Sequence, residues 1–187
     1  TLNRGDEQAL AAYLDAGGRL LLSSQDYLWD AGLNDFGRTY LGNEVYEHAG
    51  GQVSMVGNPA NPIGAGLGPY TLVPPDGWDT GFWTDAVAGS DSPFLWSMTD
   101  QHNSTNYTGT HFQSVFLAWP LEGLAEAADR AAVLGRALDW FGGCEPCPPL
   151  AGADFSWAPV TPTAGLPVTF TAWASGTAPL SFTWALG

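Results

Sequence analysis

The stretch AGGRLLLSSQDYLWDAG, residues 16–32, contains a glycine pair, a short apolar run and then a turn of hydroxyl, amide and carboxyl side chains. The run RLLLS, residues 19–23, has the composition of a buried parallel strand, although periodicity alone does not separate it from a buried helix. The segment before it, DEQALAAYLDA (residues 6–16), predicts a helix with Leu10, Tyr13 and Leu14 on one face. A helix, a glycine turn and a buried strand in succession predict an α/β sheet.

The middle of the chain, residues 50–111, is rich in Gly, Pro, Asn and Asp and predicts a long irregular insertion. It holds three brief strand candidates, at 52–56, 70–73 and 94–98. Regular structure is expected again at QSVFLAW, residues 113–119, a second buried strand that leads through Pro120 into a helix. The predicted apolar face of that helix consists of Leu124, Ala127, Ala128, Ala131, Leu134, Leu138 and Phe141.

The end of the chain follows a different pattern. CEPCPPLAG, residues 144–152, is a proline-rich linker. Beyond it apolar residues alternate with polar ones at 154–157, 168–173 and 180–184, which is typical of an antiparallel β-sandwich. The sequence therefore predicts an α/β domain over 1–143, a linker, and a truncated sandwich over 153–187.

The composition excludes several functional classes. The chain of 187 residues has five Arg, no Lys and nineteen acidic residues, with a formal net charge of −14. Such a chain presents no basic face for nucleic acid, and no apolar run is long enough to insert into a membrane. Both termini look cut from a longer polypeptide, whose other domains are expected partners.

Two resemblances refine this prediction. The segment ADFSWAPVTPTAGLPVTFTAWASGTAPLSFTWALG resembles the start of a PKD domain, an immunoglobulin-like module of bacterial extracellular proteins. Residues 1 to about 142 resemble the later part of a class I glutamine amidotransferase-like α/β domain of secreted bacterial proteins. The motifs that carry the second resemblance are DEQALAAYLDAGGRLLLSSQD, DFGRTYLG, FLAWPLEGL and ADRAAVLGRALDWFG. It implies a flavodoxin-like parallel sheet that is incomplete at the N-terminus.

Catalytic members of that superfamily carry a cysteine at the turn after the strand, and a histidine and a glutamate after a later strand. The turn here holds Ser23 and Ser24, and the later strand gives Ala118-Trp119-Pro120-Leu121-Glu122, with tryptophan about where histidine is expected. An indole cannot accept a proton, and a serine without a base is a poor nucleophile. The favoured interpretation is that the serines cap the next helix. The alternative is a hydrolase with Ser24 as nucleophile, His111 or His102 as base, and Glu122.

A pair of cysteines and a group of aspartates are two further candidate sites. Cys144 and Cys147 form a CxxC in the linker, for which a short disulfide is favoured over free thiols, in keeping with an oxidising compartment. Asp76, Asp79, Asp85 and Asp91 lie in a Gly- and Trp-rich segment, where carboxylates could hold calcium, although the spacing matches no EF-hand loop. No other cofactor is expected.

The sequence thus predicts a non-catalytic accessory, scaffold or binding region of a large bacterial protein that is secreted or displayed at the cell surface. Its expected partners are an extracellular protein or glycan. A calcium-stabilised binding module is the other non-enzymatic alternative.

Overall fold

The structure is a computed structural model and describes residues 2–48, 51–74, 82, 84–89, 91–143 and 152–175. The chain divides into two compact units, Thr1–Gly143 and Cys144–Gly187. No helix of the described residues is long and apolar enough to cross a bilayer.

The described residues of the first unit form four α-helices, a short 3-10 helix at Leu121–Gly123 and eight strands. The helices are α1 (Arg4–Asp15), α2 (Tyr27–Ala31), α3 (Asp35–Thr39) and α4 (Ala127–Trp140). The strands are β1 (Arg19–Ser23), β2 (Asn43–His48), β3 (Ser54–Gly57), β4 (Tyr70–Thr71), β5 (Asp85–Gly89), β6 (Phe94–Trp96), β7 (Ser104–Thr108) and β8 (Gln113–Leu117).

The central sheet has the order β1-β8-β7. Strands β1 and β8 pair in parallel, from Arg19 opposite Gln113 to Ser23 opposite Leu117, and β7 pairs antiparallel with β8. Two smaller antiparallel sheets are formed by β2-β5 and by β4-β3-β6. The predicted mixed α/β class is confirmed, whereas the wider flavodoxin-like parallel sheet stays a prediction.

The predicted strand at 19–23 is present but less buried than expected. Leu20, Leu21 and Leu22 are each only partly buried, whereas Val115, Phe116 and Leu117 on the neighbouring strand are almost fully buried. Among the described strands β1 pairs on one side only, so its outer edge lacks the cover that β8 receives from two neighbours.

Residues 50–111 hold more regular structure than the prediction of an irregular insertion with three brief strands. Strands β5 and β7 also lie within this segment, and β7 joins the central sheet. Strand β7 reads STNYT, which carries no apolar alternation. Its buried polar side chains are satisfied by hydrogen bonds: Thr105 Oγ1 donates to the Leu41 carbonyl at 2.7 Å. Asn61 Nδ2 likewise donates to Asn106 Oδ1 at 2.7 Å. Internal polar pairing of this kind is invisible to a search for apolar periodicity.

The predicted apolar face of the last helix of this unit was wrong within α4 itself, although Leu124 before the helix is buried and Phe141 after it packs against the core. In α4 the buried residues are Val133 and Ala137, and the expected core residues Leu134 and Leu138 are 39% and 47% exposed. The helix carries apolar side chains over more than one face, so the sequence does not determine which of them contacts the sheet.

The second unit contains two described strands, β9 (Gly152–Ala158) and β10 (Thr169–Ser175), which pair antiparallel. Trp157 lies opposite Phe170 and Phe155 opposite Ala172, so these aromatic residues share one face. Phe155, Trp157 and Phe170 are each about half exposed. The third predicted strand, at 180–184, lies outside the described residues.

Candidate functional site

The candidate site lies at the carboxyl end of β1 and β8, which is where open α/β sheets place their ligands. Ser23 ends β1, and its hydroxyl makes two hydrogen bonds. It donates to the Trp119 carbonyl at 2.9 Å and accepts the Leu121 amide at 2.8 Å. The hydroxyl therefore joins the end of β1 to the segment after β8. Activation of Ser23 as a nucleophile would require breaking its donor bond.

Trp119, which follows β8, is fully buried. Its Nε1 donates to Asn103 Oδ1 at 3.2 Å, and its ring meets that of Phe94 edge to face at 5.5 Å. The indole is a core residue whose donor is used inside the protein. It has no free lone pair with which to take a proton.

Ser24 follows Ser23, and its amide donates to the Leu117 carbonyl at 3.0 Å. The side-chain cap that was expected from these serines is not formed on α2, whose N-cap position is Asp26 and shows no side-chain cap bond. Helix α2 is only five residues long, and the serines lie before its N-cap. They thus belong to the link between β1 and β8 and not to a helix cap.

The structure does not bring His111 to Ser24. His111 precedes the first residue of β8, and its carbonyl lies beside Gly17, at the amino end of β1. Since β1 and β8 run parallel, four residues of strand separate that end from Ser23, about 13 Å at the usual rise. His111 is exposed in a cleft with Asp15, Tyr40 and Tyr107.

His102 and Glu122 lie nearer to the carboxyl end but do not complete a relay. His102 lines a cleft of about 280 Å³ with Glu47 and Gln101, and neither serine lines that cleft. Glu122 lies in the 3-10 helix next to Leu121, and its side chain is exposed to solvent. Of the proposed hydrolase residues, the structure therefore places only Glu122 beside the serines.

A different histidine lies at the same end of the sheet. His48 is the cross-strand partner of Asp85 in the β2-β5 ladder, and His48 Nδ1 lies 3.4 Å from Asp85 Oδ1. The Asp85 amide faces the Ala118 carbonyl at 3.5 Å, and the Asp85 carbonyl accepts Trp96 Nε1 at 3.0 Å. The pair thus adjoins the exit of β8, where Ser24 also bonds.

The two side chains differ sharply in exposure. The Asp85 side chain is 2% exposed and that of His48 is 36% exposed. Burial raises the pKa of Asp85 to about 6, although hydrogen bonding and charge attraction from His48 act in the opposite direction. The charge of Asp26 raises this pKa further, and a hydrogen bond from Tyr46 lowers it. A buried carboxyl with a displaced pKa is a frequent property of functional sites.

Trp29 on α2 completes the cluster. Its ring centroid is 5.8 Å from that of His48 at an angle of 51°, and the residue is 69% exposed. In the same segment Gln25 is buried, and its Oε1 has no hydrogen-bond partner among the described residues. The cluster therefore combines an exposed indole, a histidine and a buried carboxyl.

The acidic residues considered for calcium do not converge where they are described. Asp85 begins β5, and Asp91 lies beyond the end of the same strand, with its Oδ1 accepting the Ser92 amide at 2.9 Å. Asp76 and Asp79 lie outside the described residues, as do Cys144 and Cys147. Within the described ranges no group of three or more His, Cys, Asp or Glu side chains is arranged to hold a metal.

The His48–Asp85 pair was missed because its members are 37 residues apart and neither stands in a motif. His48 is the last residue of the segment NEVYEH, and Asp85 follows a segment without apolar periodicity. Only the β2-β5 pairing joins them, and no local pattern predicts that pairing.

Comparison with known proteins gives a fold and no family. No protein-family model matches the chain, and no curated protein matches it. Similar solved structures include the cold-adapted β-galactosidase from Rahnella sp. R3, at 15% identity and a TM-score of 0.50, over 83% of this chain. Another is the β-galactosidase from Halorubrum lacusprofundi, at 14% identity and a TM-score of 0.44, over 74% of this chain. The chain spans about a quarter of the Rahnella protein (24%) and 20% of the haloarchaeal one.

Proposed function

We propose that this chain is a non-catalytic accessory region of a larger, secreted or surface-displayed bacterial protein. Its α/β unit is an amidotransferase-like domain that binds an extracellular partner, and its C-terminal unit is the start of a PKD-like sandwich that serves as a spacer. The observation that carries the proposal is the Ser23 hydroxyl, which is bonded to Trp119 and Leu121 at the position of the superfamily nucleophile.

The surrounding geometry supports this role. The buried indole of Trp119 takes the place of a base, and His111 lies at the opposite end of β1. Nucleophilic catalysis needs a base within hydrogen-bond reach of the nucleophile and a third group that orients the base. The superfamily positions supply neither.

The C-terminal unit and the fold comparison suit a module that works beside other domains. Strands β9 and β10 form an antiparallel pair with an aromatic face, which is the arrangement expected for the first strands of a sandwich. A similar fold occupies 24% of a much longer chain in the Rahnella structure. Both observations support an accessory role and leave the binding partner to be found.

A second candidate is a serine hydrolase that uses Ser24 with a histidine. The specific observation in its favour is the His48–Asp85 pair, because a buried carboxylate behind a half-exposed imidazole is the usual arrangement of a general base. Glu122 would then lie outside the relay, since Asp85 already orients the histidine.

Turnover measurements separate the two candidates. The full chain is assayed on 4-nitrophenyl acetate and on a peptide anilide at pH 7.5, beside the Ser24→Ala and His48→Ala variants. We expect all three proteins to give the same residual rate, because the proposal gives neither Ser24 nor His48 a catalytic role. A rate that falls at least about 100-fold in both variants, the scale of losing a general base, would establish the hydrolase instead.

A further inference from the structure

Asp26 and the exposed residue Trp29 are three positions apart at the start of α2. Asp26 is the N-cap residue and Trp29 lies three positions later, a spacing that places two side chains next to each other on a helix. The Trp29 ring centroid lies 5.8 Å from that of His48, which ends β2, and the negative charge of Asp26 raises the pKa of Asp85. The pair therefore borders the candidate site described above.

Among the described residues, arginine and lysine side chains are lacking around Asp26 and Asp85. All five arginines of the chain lie in the described residues, and the chain has no lysine. The ion pair that the described residues form joins His48 to Asp85, and no arginine lies within ion-pair distance of Asp26 or Asp85. Asp26 is thus left without an arginine partner, and the partner of Asp85 is His48.

An exposed indole beside a carboxylate that no arginine pairs has a definite chemical preference. A cation over the face of tryptophan is attracted by the ring quadrupole, and Trp is the best of the aromatic residues for this contact. Guanidinium is planar, stacks on aromatic faces and donates to a carboxylate in a forked geometry, which a compact ammonium cannot do. Anionic ligands are disfavoured by the same carboxylates and by the net charge of −14.

We propose that Trp29 and Asp26, supported by the His48–Asp85 pair, form a subsite for an arginine side chain of a protein partner. The guanidinium stacks on the exposed face of Trp29 and donates to the Asp26 carboxylate. The contact between Trp29 and His48 limits the rotation of the indole, and Asp85 adds negative charge behind it. This inference rests on the proposed binding role and names the chemistry that the partner presents.

The experiment uses the full chain labelled with ¹⁵N and follows the Trp29 indole signal, which is assigned with a Trp29→Phe variant. The probes are Ac-Gly-Arg-Gly-NH₂ and its neutral isostere with citrulline in place of arginine, titrated at pH 7.5 and low salt. We expect the arginine peptide to shift the Trp29 signal with a dissociation constant in the millimolar range. The citrulline peptide should bind about fivefold more weakly, the scale of an exposed cation–π contact.

Variants make the test specific. In Trp29→Ala, which lacks the indole signal, binding is followed through the backbone amide signals of the same ¹⁵N-labelled chain and should no longer be saturable. Asp26→Asn should weaken binding several-fold. Tyr13→Ala, which removes another exposed aromatic residue of the same unit, should leave binding unchanged. Asp85→Asn should weaken binding at pH 7.5 but not at pH 5, where Asp85, with its pKa raised to about 6 by burial, is already mostly protonated in the native chain.

Three results would overturn the subsite: equal binding of the arginine and citrulline peptides, saturable binding that persists in Trp29→Ala, or shifts of the Trp29 signal caused by methyl glycosides and not by arginine. The same samples report separately on the proposed function. New peptide fragments in the spectra would show cleavage and refute the non-catalytic role, whether or not Trp29 contacts arginine.

Discussion

Gly64→Ala is expected to lower the free energy of unfolding of the α/β unit by more than about 4 kcal/mol, at the upper end of single-residue effects. A Cβ atom at this position would lie 1.9 Å from the Pro93 carbonyl oxygen and 2.8 Å from the Asn58 amide nitrogen. These two groups are hydrogen-bonded to each other at 2.8 Å. The methyl group would therefore push apart a backbone contact that no side-chain rotation can relieve.

The matched control is Gly135→Ala. Gly135 lies inside α4, and a Cβ atom there would meet no heavy atom within 4 Å. Alanine should stabilise the helix by about 1 kcal/mol, because glycine is the poorer helix former. Both variants are compared with the native chain by urea unfolding followed through tryptophan fluorescence. Equal midpoints for Gly64→Ala and the native chain would contradict the packing described here.

Asp85→Asn is expected to raise the free energy of unfolding at neutral pH. Burial raises the pKa of Asp85 from its ordinary 3.8 to about 6, so between these values the folded chain binds a proton that the unfolded chain has released. The contribution of this group to stability therefore falls as pH rises from about 4 to 6, and the loss is complete above 6. The shift corresponds to about 3 kcal/mol.

Asparagine has the shape of aspartate and can still accept a hydrogen bond from His48, but it carries no charge to desolvate. The measurement is the difference in free energy of unfolding between Asp85→Asn and the native chain, in urea, at intervals from pH 4 to pH 8. We expect this difference to grow by up to about 3 kcal/mol between pH 4 and pH 6 and then to stay constant. A difference that does not change with pH would show that Asp85 is not held as a buried carboxyl.

The stability that the folded chain loses when Asp85 is ionised bears on the function of this residue. A carboxyl that lowers stability when ionised is the kind of residue that is retained for a site and not for the fold. Its neighbours agree with that view, since the half-exposed His48 and the exposed Trp29 lie on its solvent side.

Local patterns in the sequence predicted the elements that carry their own signals. RLLLS became β1, QSVFLAW contains β8, and the segment before the glycine pair became α1, which runs from Arg4 to Asp15. Helix α1 begins two residues earlier than expected. Asn3 caps it: Asn3 Oδ1 accepts hydrogen bonds from the Gly5 and Asp6 amides. In return, the Asp6 carboxylate accepts a hydrogen bond from the Asn3 amide. The capping box relied on Asn and Asp and not on the more familiar serine and glutamate pair.

The site was less predictable, because it depends on contacts between distant segments. That Trp119 cannot serve as a base was visible in the sequence, and the structure shows this residue buried and bonded to Asn103. The use of Ser23 as a clamp between two strand ends was not visible, because its partners lie 96 and 98 residues away. The same holds for the pairing of His48 with Asp85.

The most direct test of the central claim is covalent labelling with a fluorophosphonate, which reacts with activated serines. The full chain, Ser24→Ala, Ser23→Ala and His48→Ala are incubated with the probe, and intact masses are recorded. We predict that no protein gains an adduct, because the Ser23 hydroxyl is bonded on both sides and His111 lies at the opposite end of β1 from Ser24. A single adduct on the native chain that is lost in Ser24→Ala and His48→Ala, but kept in Ser23→Ala, would contradict the account and establish a serine hydrolase.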